Sequence, residues 1–390
     1  MKFSISKNIL QKKLNNVQRA VSKKTTLPVL TGIFMETTKE KGLHLIGTDL
    51  DLGIECWIAD ENVTIKEQGS IVLPATQIYN IVRELPPEEI YFSLNLEDMT
   101  MKIKCHNSEF KINGFDPEEF PQLPEVKRPV NITLPGKDFK RIIEEVSFSI
   151  SNNQSQPSLT GALMLFKDRV MEMVSTNTYR LAHSLYTFDK NNNDNDKNDG
   201  SQNEKEIAPN KVIIPGNTLN ELKRVLPDSE ESEIEILLGN NHIKFCFDNF
   251  KIVSRLIEGQ FPNYNQVIPE EYNTRIEANK KELQHAVKRA SLIAQLDSNE
   301  INLEINEENN ILLITSTGKE TGEAHEELPI SLEGPEQKIK IDAGYLLDVL
   351  KIIDKEKITL NLIGPVSPLT IKLKKETGSY TYLIMPIRQD

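Results

Sequence analysis

"IVLPATQIYNIVREL", residues 71–85, has two relatives in the same chain, "VIIPGNTLNELKRVL" at 212–226 and "IKIDAGYLLDVLKII" at 339–353. The three align without a gap. Each starts on a β-branched run and turns through Pro or Asp and a small residue. Each then carries apolar residues at helical spacing: Ile78, Ile81, Val82 and Leu85; Leu219, Leu222 and Leu226; Leu346, Val349, Leu350 and Ile353. The pattern predicts a strand feeding an amphipathic helix. One such unit is ordinary in a sheet protein, whereas three in register are an internal repeat, and a repeat dictates the fold.

Moving outward, a second set precedes the first: "ISKNILQKKLNNVQRAV" (5–21), "LPGKDFKRIIEEV" (134–146) and "EANKKELQHAVKRA" (277–290). Leu10, Leu14 and Val17 match Phe139, Ile143 and Val146, then Leu283, Val287 and Ala290, one helical face written three times, with Val21 continuing the first. Strand-like alternation follows every copy, so each repeat reads strand, helix, strands, twice over. The expected class is α+β, in three tandem domains of 1–126, 127–269 and 270–390. The Phe-Pro endings "FDPEEFPQLPEV" and "EGQFPNYNQVIPEEY" mark the two boundaries. The middle copy is longer by the Asn/Asp tract "DKNNNDNDKNDGSQNEKE" (189–206), which has nothing apolar to bury and is expected to be a disordered surface loop.

Composition narrows the function. No apolar run reaches bilayer length and Met1-Lys2-Phe3-Ser4 does not open a signal peptide, so a soluble, cytoplasmic protein with no membrane partner is expected. Cys56, Cys105 and Cys246 are odd in number and widely spaced, which reads as buried thiols without disulfide or zinc. The histidines are scattered and neither HExxH nor GxxxxGK[ST] occurs. "STNTYRLAH" could suggest a Ser/His site, but it sits in a repeated strand without an oxyanion element. The chain is therefore expected not to be an enzyme, with no catalytic residue, no metal and no cofactor.

The net charge of −12 argues on average against nucleic acid. The average hides an asymmetry. From Ser6 to Lys24 there are six basic residues and no acidic one, and Lys12, Arg19 and Lys23 lie opposite the apolar side of the helical wheel. The matching helices carry Lys137, Lys140 and Arg141, then Lys280, Lys281, Lys288 and Arg289. Lysines on one helix usually make a solvated face. The three equivalent segments, 6–24, 136–146 and 278–290, together hold 13 basic and 4 acidic residues, and in an acidic body they suit a polyanion contacted along its backbone without base reading, while the negative exterior suppresses non-specific association.

The threefold repeat, "LPVLTGI" (27–33), "GTDLDLGIE" (47–55), "STNTYRLA" (175–182), "FPNY" (261–264) and the terminal "YLIMPIR" (382–388) resemble the bacterial sliding clamps, the β subunits of DNA polymerase III, along essentially the whole chain. The resemblance implies a homodimer closed head to tail into a ring, with helices lining a hole, sheets outside and duplex DNA inside, sequence-independently. It implies a processivity factor that tethers the polymerase III catalytic subunit, the clamp loader, and other DNA polymerases and repair proteins. A clamp paralogue that sequesters partners or confers drug resistance is the alternative.

By matching motif, Lys24 is the first DNA-contact candidate, followed by Arg19, Lys12, Lys140 and Lys281. The DNA-facing loop of the second domain corresponds to "SNNQSQPS" (151–158), which lacks the aromatic residues of some members. The family's peptide groove maps onto Leu159, Thr176, Thr178, Tyr179, Arg180 and Leu181. Pro262 and Val267 of the linker join it, with Leu383, Ile384, Met385, Pro386 and Arg388 of the terminus. Thr178 stands where many members have Gly, Pro368 replaces a polar residue, and Gln389 and Asp390 add negative charge beyond Arg388. Read without the family, "YLIMPIR" is also compatible with an ordinary edge strand. The ring seam maps onto Phe110 in the first domain and Leu292 and Ile293 in the third, with Thr76 and Gln77 replacing charged residues.

Overall fold

The computed structural model describes residues 1–22, 24–127, 129–167, 169–188, 211–229, 231–294, 298–318 and 322–388. The Asn/Asp tract, Lys23, Gln389 and Asp390 lie outside the described residues. Among those described, six α-helices occur: α1 Lys7–Val17, α2 Ala75–Glu84, α3 Gly136–Ser147, α4 Gly216–Val225, α5 Lys280–Ala294 and α6 Ala343–Ile352. They fall on the six repeated segments.

The repeats differ in how a helix starts. Pro74 precedes α2, where its missing N–H is no loss. Asp342 caps α6, its side chain accepting from the amides of Gly344 at 2.7 Å and Tyr345 at 3.3 Å. The buried faces carry Leu10, Leu14 and Val17 on α1, Phe139, Ile143 and Val146 on α3, and Leu283, Val287 and Ala290 on α5. Burying each of the larger ones is worth about 1.5–3 kcal/mol. The first helix stops short of the expected Val21. It ends at Val17 and tightens into a 3₁₀ turn, Gln18–Ala20. Its end lies so close to a strand that a Cβ on Gly47 would sit 2.5 Å from the Val17 carbonyl oxygen.

The described residues form two compact units. The first comprises Met1–Lys140 and Asn217–Leu256. It holds a five-stranded antiparallel sheet ordered Val63–Glu67, Lys2–Ser6, Glu89–Asn95, Thr100–Cys105, Ser108–Asn113. Its other sheet has eight strands, ordered Val130–Pro135, Glu233–Leu238, His242–Phe247, Phe250–Arg255, Leu52–Ile58, Gly42–Thr48, Gly32–Thr38, Gly69–Pro74. The middle junction of this sheet joins two repeats: Ile54 is opposite Ile252 and Cys56 opposite Phe250.

The second unit comprises 141–188, 211–216 and 257–388 among the described residues. Its nine-stranded sheet runs Lys211–Pro215, Gly161–Lys167, Val170–Thr176, Arg180–Thr187, Gly378–Ile384, Leu369–Lys375, Lys357–Leu362, Thr274–Asn279, Ser331–Glu333. Here the second and third repeats join, with Leu181 opposite Leu383 and Ser184 opposite Tyr380. A four-stranded sheet runs Gly322–Pro329, Ile311–Gly318, Glu300–Asn306, Lys338–Asp342. The units cut across the repeats because strand pairing fuses neighbouring half-repeats into one sheet. The terminal strand, Gly378–Ile384, is thereby an interior strand, paired on both sides.

Candidate peptide groove and basic helix faces

The junction of the strands 180–187 and 378–384 builds an apolar floor. Leu159, Leu163, Val174, Leu181, Ile213, Phe261 and Leu383 form one buried cluster, with Tyr264, Ile268 and Met385 packed on it. Beyond the terminal strand the chain stays attached, the Met385 amide donating to the Tyr179 carbonyl at 2.8 Å. Leu159, Leu181, Leu383 and Met385 are thus brought together, with Thr176, Thr178 and Tyr179 beside them.

Thr176, Asn177 and Thr178 form the turn at the groove's mouth. The Thr176 hydroxyl accepts from the Thr178 amide at 3.0 Å and donates to the Arg180 carbonyl at 2.7 Å. Asn177 Oδ1 accepts from the amides of Tyr179 and Arg180. These bonds hold Thr178 at φ +76°, a left-handed conformation that disfavours a β-branched residue. Tyr179 is left 63% exposed beside it.

Ile384 and Arg180, expected with these residues, lie on the opposite face of the sheet. Alternate residues of a strand face opposite sides. Tyr380 and Tyr382 direct their hydroxyls to carbonyls of Glu145 on α3 and Tyr345 on α6, so Ile384 shares the helix side with them, while Leu383 faces the groove. Arg180, opposite Ile384, also lies on that side. Its side chain is only 11% exposed and its guanidinium donates to Asp348 on α6 at 2.8 Å and to the Phe148 carbonyl, 4.5 Å from the centre of the Tyr345 ring. Burial opposes ionisation of Asp348, but bonds from Lys351 and Arg180 outweigh it and hold the carboxyl below its ordinary range. Arg180 supports the groove from behind. Pro386 and Arg388, which follow Met385, line a cleft of about 270 Å³ with Val366, Ile387, Lys338 and Lys340.

The linker supplies the other wall. Pro262 and Val267 are exposed on either side of Tyr264, whose hydroxyl donates to Glu172 Oε2 at 2.8 Å. His183 Nε2 lies 3.1 Å from the same oxygen. The hydrogen bond with His183 holds the Glu172 carboxyl low, against its burial, and burial with the Glu172 bond pushes the Tyr264 phenol up. Sequence pointed to none of the three as groove residues, although "FPNY" contains Tyr264 and "STNTYRLAH" contains His183.

The basic candidates separate into two groups. Lys12, Lys24 and Lys281 are exposed. Arg19 and Lys140 are committed within the fold: Arg19 pairs with the buried Glu221 at 3.5 Å, and Lys140 with Asp228. Glu221 also pairs with Arg224 at 2.7 Å, and a cleft of about 470 Å³ opens beside Arg19 and Arg224.

The seam candidates lie at two sheet edges. Phe110, 39% exposed, is on the edge strand Ser108–Asn113. Leu292, 61% exposed, and the half-buried Ile293 are on α5, which packs against the edge strand Gly322–Pro329 and is tied to it by Arg289–Glu326. Among the described residues neither edge has a further strand partner.

Antiparallel half-repeats merging into continuous sheets, with a buried apolar cluster at a repeat junction, define the class as tandem clamp domains. Family models of the DNA polymerase III beta subunit match throughout: the N-terminal domain at residues 1–124, the central domain at 133–263 and the C-terminal domain at 265–388. The beta sliding clamp of Staphylococcus epidermidis is 34% identical, covering 100% of this chain and 99% of the relative, and that of Staphylococcus aureus is 33% identical over the same shares. The crystal structure of the DNA polymerase sliding clamp from Bacillus subtilis superposes with a TM-score of 0.89 at 29% identity, all of both chains covered. The chain belongs to the DNA polymerase III beta subunit family.

Proposed function

We propose that the chain is the processivity factor of a replicative DNA polymerase, a sliding clamp of two copies joined head to tail around duplex DNA. One observation carries this reading. Of three equivalent repeat junctions, two are closed by strand pairing within the chain, at 52–58 with 250–255 and at 180–187 with 378–384. The third pair of edges, 108–113 and 322–329, is left for another copy. Charge adds less: on the first edge Lys111 stands beside Glu109, which already pairs with Lys102 and Lys104, and on the second Glu323 and Glu327 flank a Glu326 tied to Arg289.

Lys12, Lys24 and Lys281 are the proposed backbone contacts. The proposed peptide groove comprises Leu159, Thr176, Thr178, Tyr179, Leu181, Pro262, Val267, Leu383 and Met385. An apolar floor with polar groups at its mouth suits a short linear segment, here from the polymerase III catalytic subunit, the clamp loader and other polymerases and repair proteins. Such a protein acts by topology, with no chemistry of its own, in the cytoplasm. The domains are proposed to run 1–126, 127–269 and 270–390.

The test assembles the chain on nicked circular DNA with its clamp loader and ATP, then follows retention in high salt before and after linearisation. Retention on the circle with loss from the linear form is expected, because contact affinity does not depend on DNA ends. Failure to be retained on the circle, where a known clamp is, overturns the reading.

A further inference from the structure

The linker Phe261–Pro269 crosses the groove face of the nine-stranded sheet as a strap. Phe261 is buried in the apolar cluster, Tyr264 opens a single 3₁₀ turn, Tyr264–Val267, and the Pro269 carbonyl accepts from Lys372 Nζ at 2.6 Å. His183 is opposite Thr381, and Thr381 opposite Lys372, so the three share the face beneath the strap.

We propose that Tyr264, Glu172 and His183 are positioning residues that set the width of the peptide groove by fixing the strap; this rests on the reading of that face as a peptide groove. Pro262 and Val267 are exposed, Val267 at 45%, so their places are inherited from neighbours that are held. Phe261 holds one end by burial, which is non-directional. Tyr264 adds direction, because its hydroxyl must reach one oxygen, Glu172 Oε2, which His183 orients from the adjacent strand. In a 3₁₀ turn residues three apart eclipse, so fixing Tyr264 fixes Val267. A bond to an ionised acceptor is about twice as strong as a neutral one, enough to select one strap position over a slack ensemble.

The test uses the full chain and a fluorescein-labelled synthetic peptide spanning the clamp-binding segment of the polymerase III catalytic subunit from the same genome. Anisotropy gives its Kd, and hydrogen exchange follows the amides of 261–268. Tyr264→Phe and Glu172→Leu are each expected to weaken binding about five- to tenfold and to accelerate exchange in the strap but not in α6. The double variant is expected to lose no more than either single one, and Glu172→Gln, which keeps an acceptor, to stay within about twofold of the parent. Parental affinity in Tyr264→Phe, additive losses in the double variant, or unchanged strap exchange overturns the inference. If the parent chain does not take up the peptide at all, the groove reading falls and the inference with it; failure of the inference alone leaves the parent binding and Tyr264→Phe binding equally.

Discussion

Lys375 reaches the buried carboxylate of Glu145 on α3, which also accepts from the Ser184 hydroxyl at 2.6 Å. These contacts bolt the helix to strand 369–375 through Lys375 and to strand 180–187 through Ser184. Without Lys375 the buried Glu145 keeps Arg141, at 3.4 Å, and the Ser184 hydroxyl as partners. Lys375→Met is expected to cost about 1–2 kcal/mol in urea unfolding, because Arg141 still faces the carboxylate, and addition of Glu145→Gln to restore part of it.

The position equivalent to Glu145 on α5 is Arg289, and that equivalent to Ser184 is Glu326, so the polarity is reversed at the open edge. Hairpin register makes Phe110 equivalent to Ile252 and Tyr380, through pairing with Ile103, Phe245 and Leu373. If the proposed seam follows the two internal junctions, Ile252 to Ile54 and Tyr380 to Ser184, Phe110 of one copy would stand opposite Ala324 or Glu326 of the next. Phe110→Cys combined with Ala324→Cys or Glu326→Cys is expected to give an oxidised covalent dimer on a non-reducing gel, and Phe110→Asp a monomer by light scattering.

Leu50, at φ +79°, repeats the Thr178 turn in the first repeat, with Thr48 bonded to the Leu50 amide at 3.0 Å and the Leu52 carbonyl at 2.9 Å. Left-handed backbone costs a side-chain-bearing residue about 1–2 kcal/mol, partly offset by glycine's freedom when unfolded. Thr178→Gly and Leu50→Gly are each expected to stabilise by up to about 1 kcal/mol, read as a rise in Tm.

Trp57, the sole tryptophan, stacks on His44 with ring centres 3.8 Å apart. Burial opposes ionisation of Glu55, but His44, Lys251 and Trp57 together outweigh it and hold its carboxyl at about 2, against 4.5 ordinarily. A depressed carboxyl contributes stability that is full above about pH 4.5 and is lost as pH falls towards 2. The contribution is on the order of 2 kcal/mol after allowance for solvent screening. Glu55→Gln is expected to flatten the acid limb of stability against pH, followed by Trp57 fluorescence.

Lys12→Ala, Lys24→Ala and Lys281→Ala are each expected to reduce the slope of log K against log salt for duplex binding by about 0.9 for the phosphate contact removed. Lys140→Ala is expected to change that slope little, because Asp228 already neutralises it, and to lower stability instead. Titration by filter binding separates the two groups.

The six helices, their apolar faces and the threefold repeat were legible in the chain because they are local periodicities, complete within some fifteen residues. The Thr-Asx turn in "GTDLDLG" and "STNTYRL" is equally local, its hydrogen bonds spanning at most four residues, but it was not picked out from the sequence. Tertiary structure alone decided which charges are committed: Arg19 meets Glu221 across 202 residues and Lys140 meets Asp228 across 88. It also turned Arg180 and Ile384 to the helix side and bound Tyr264 to Glu172. Periodicity assigns a residue to a face of its own element; which face of which neighbour it meets depends on strand pairing between distant segments, and that pairing exists only in the folded chain.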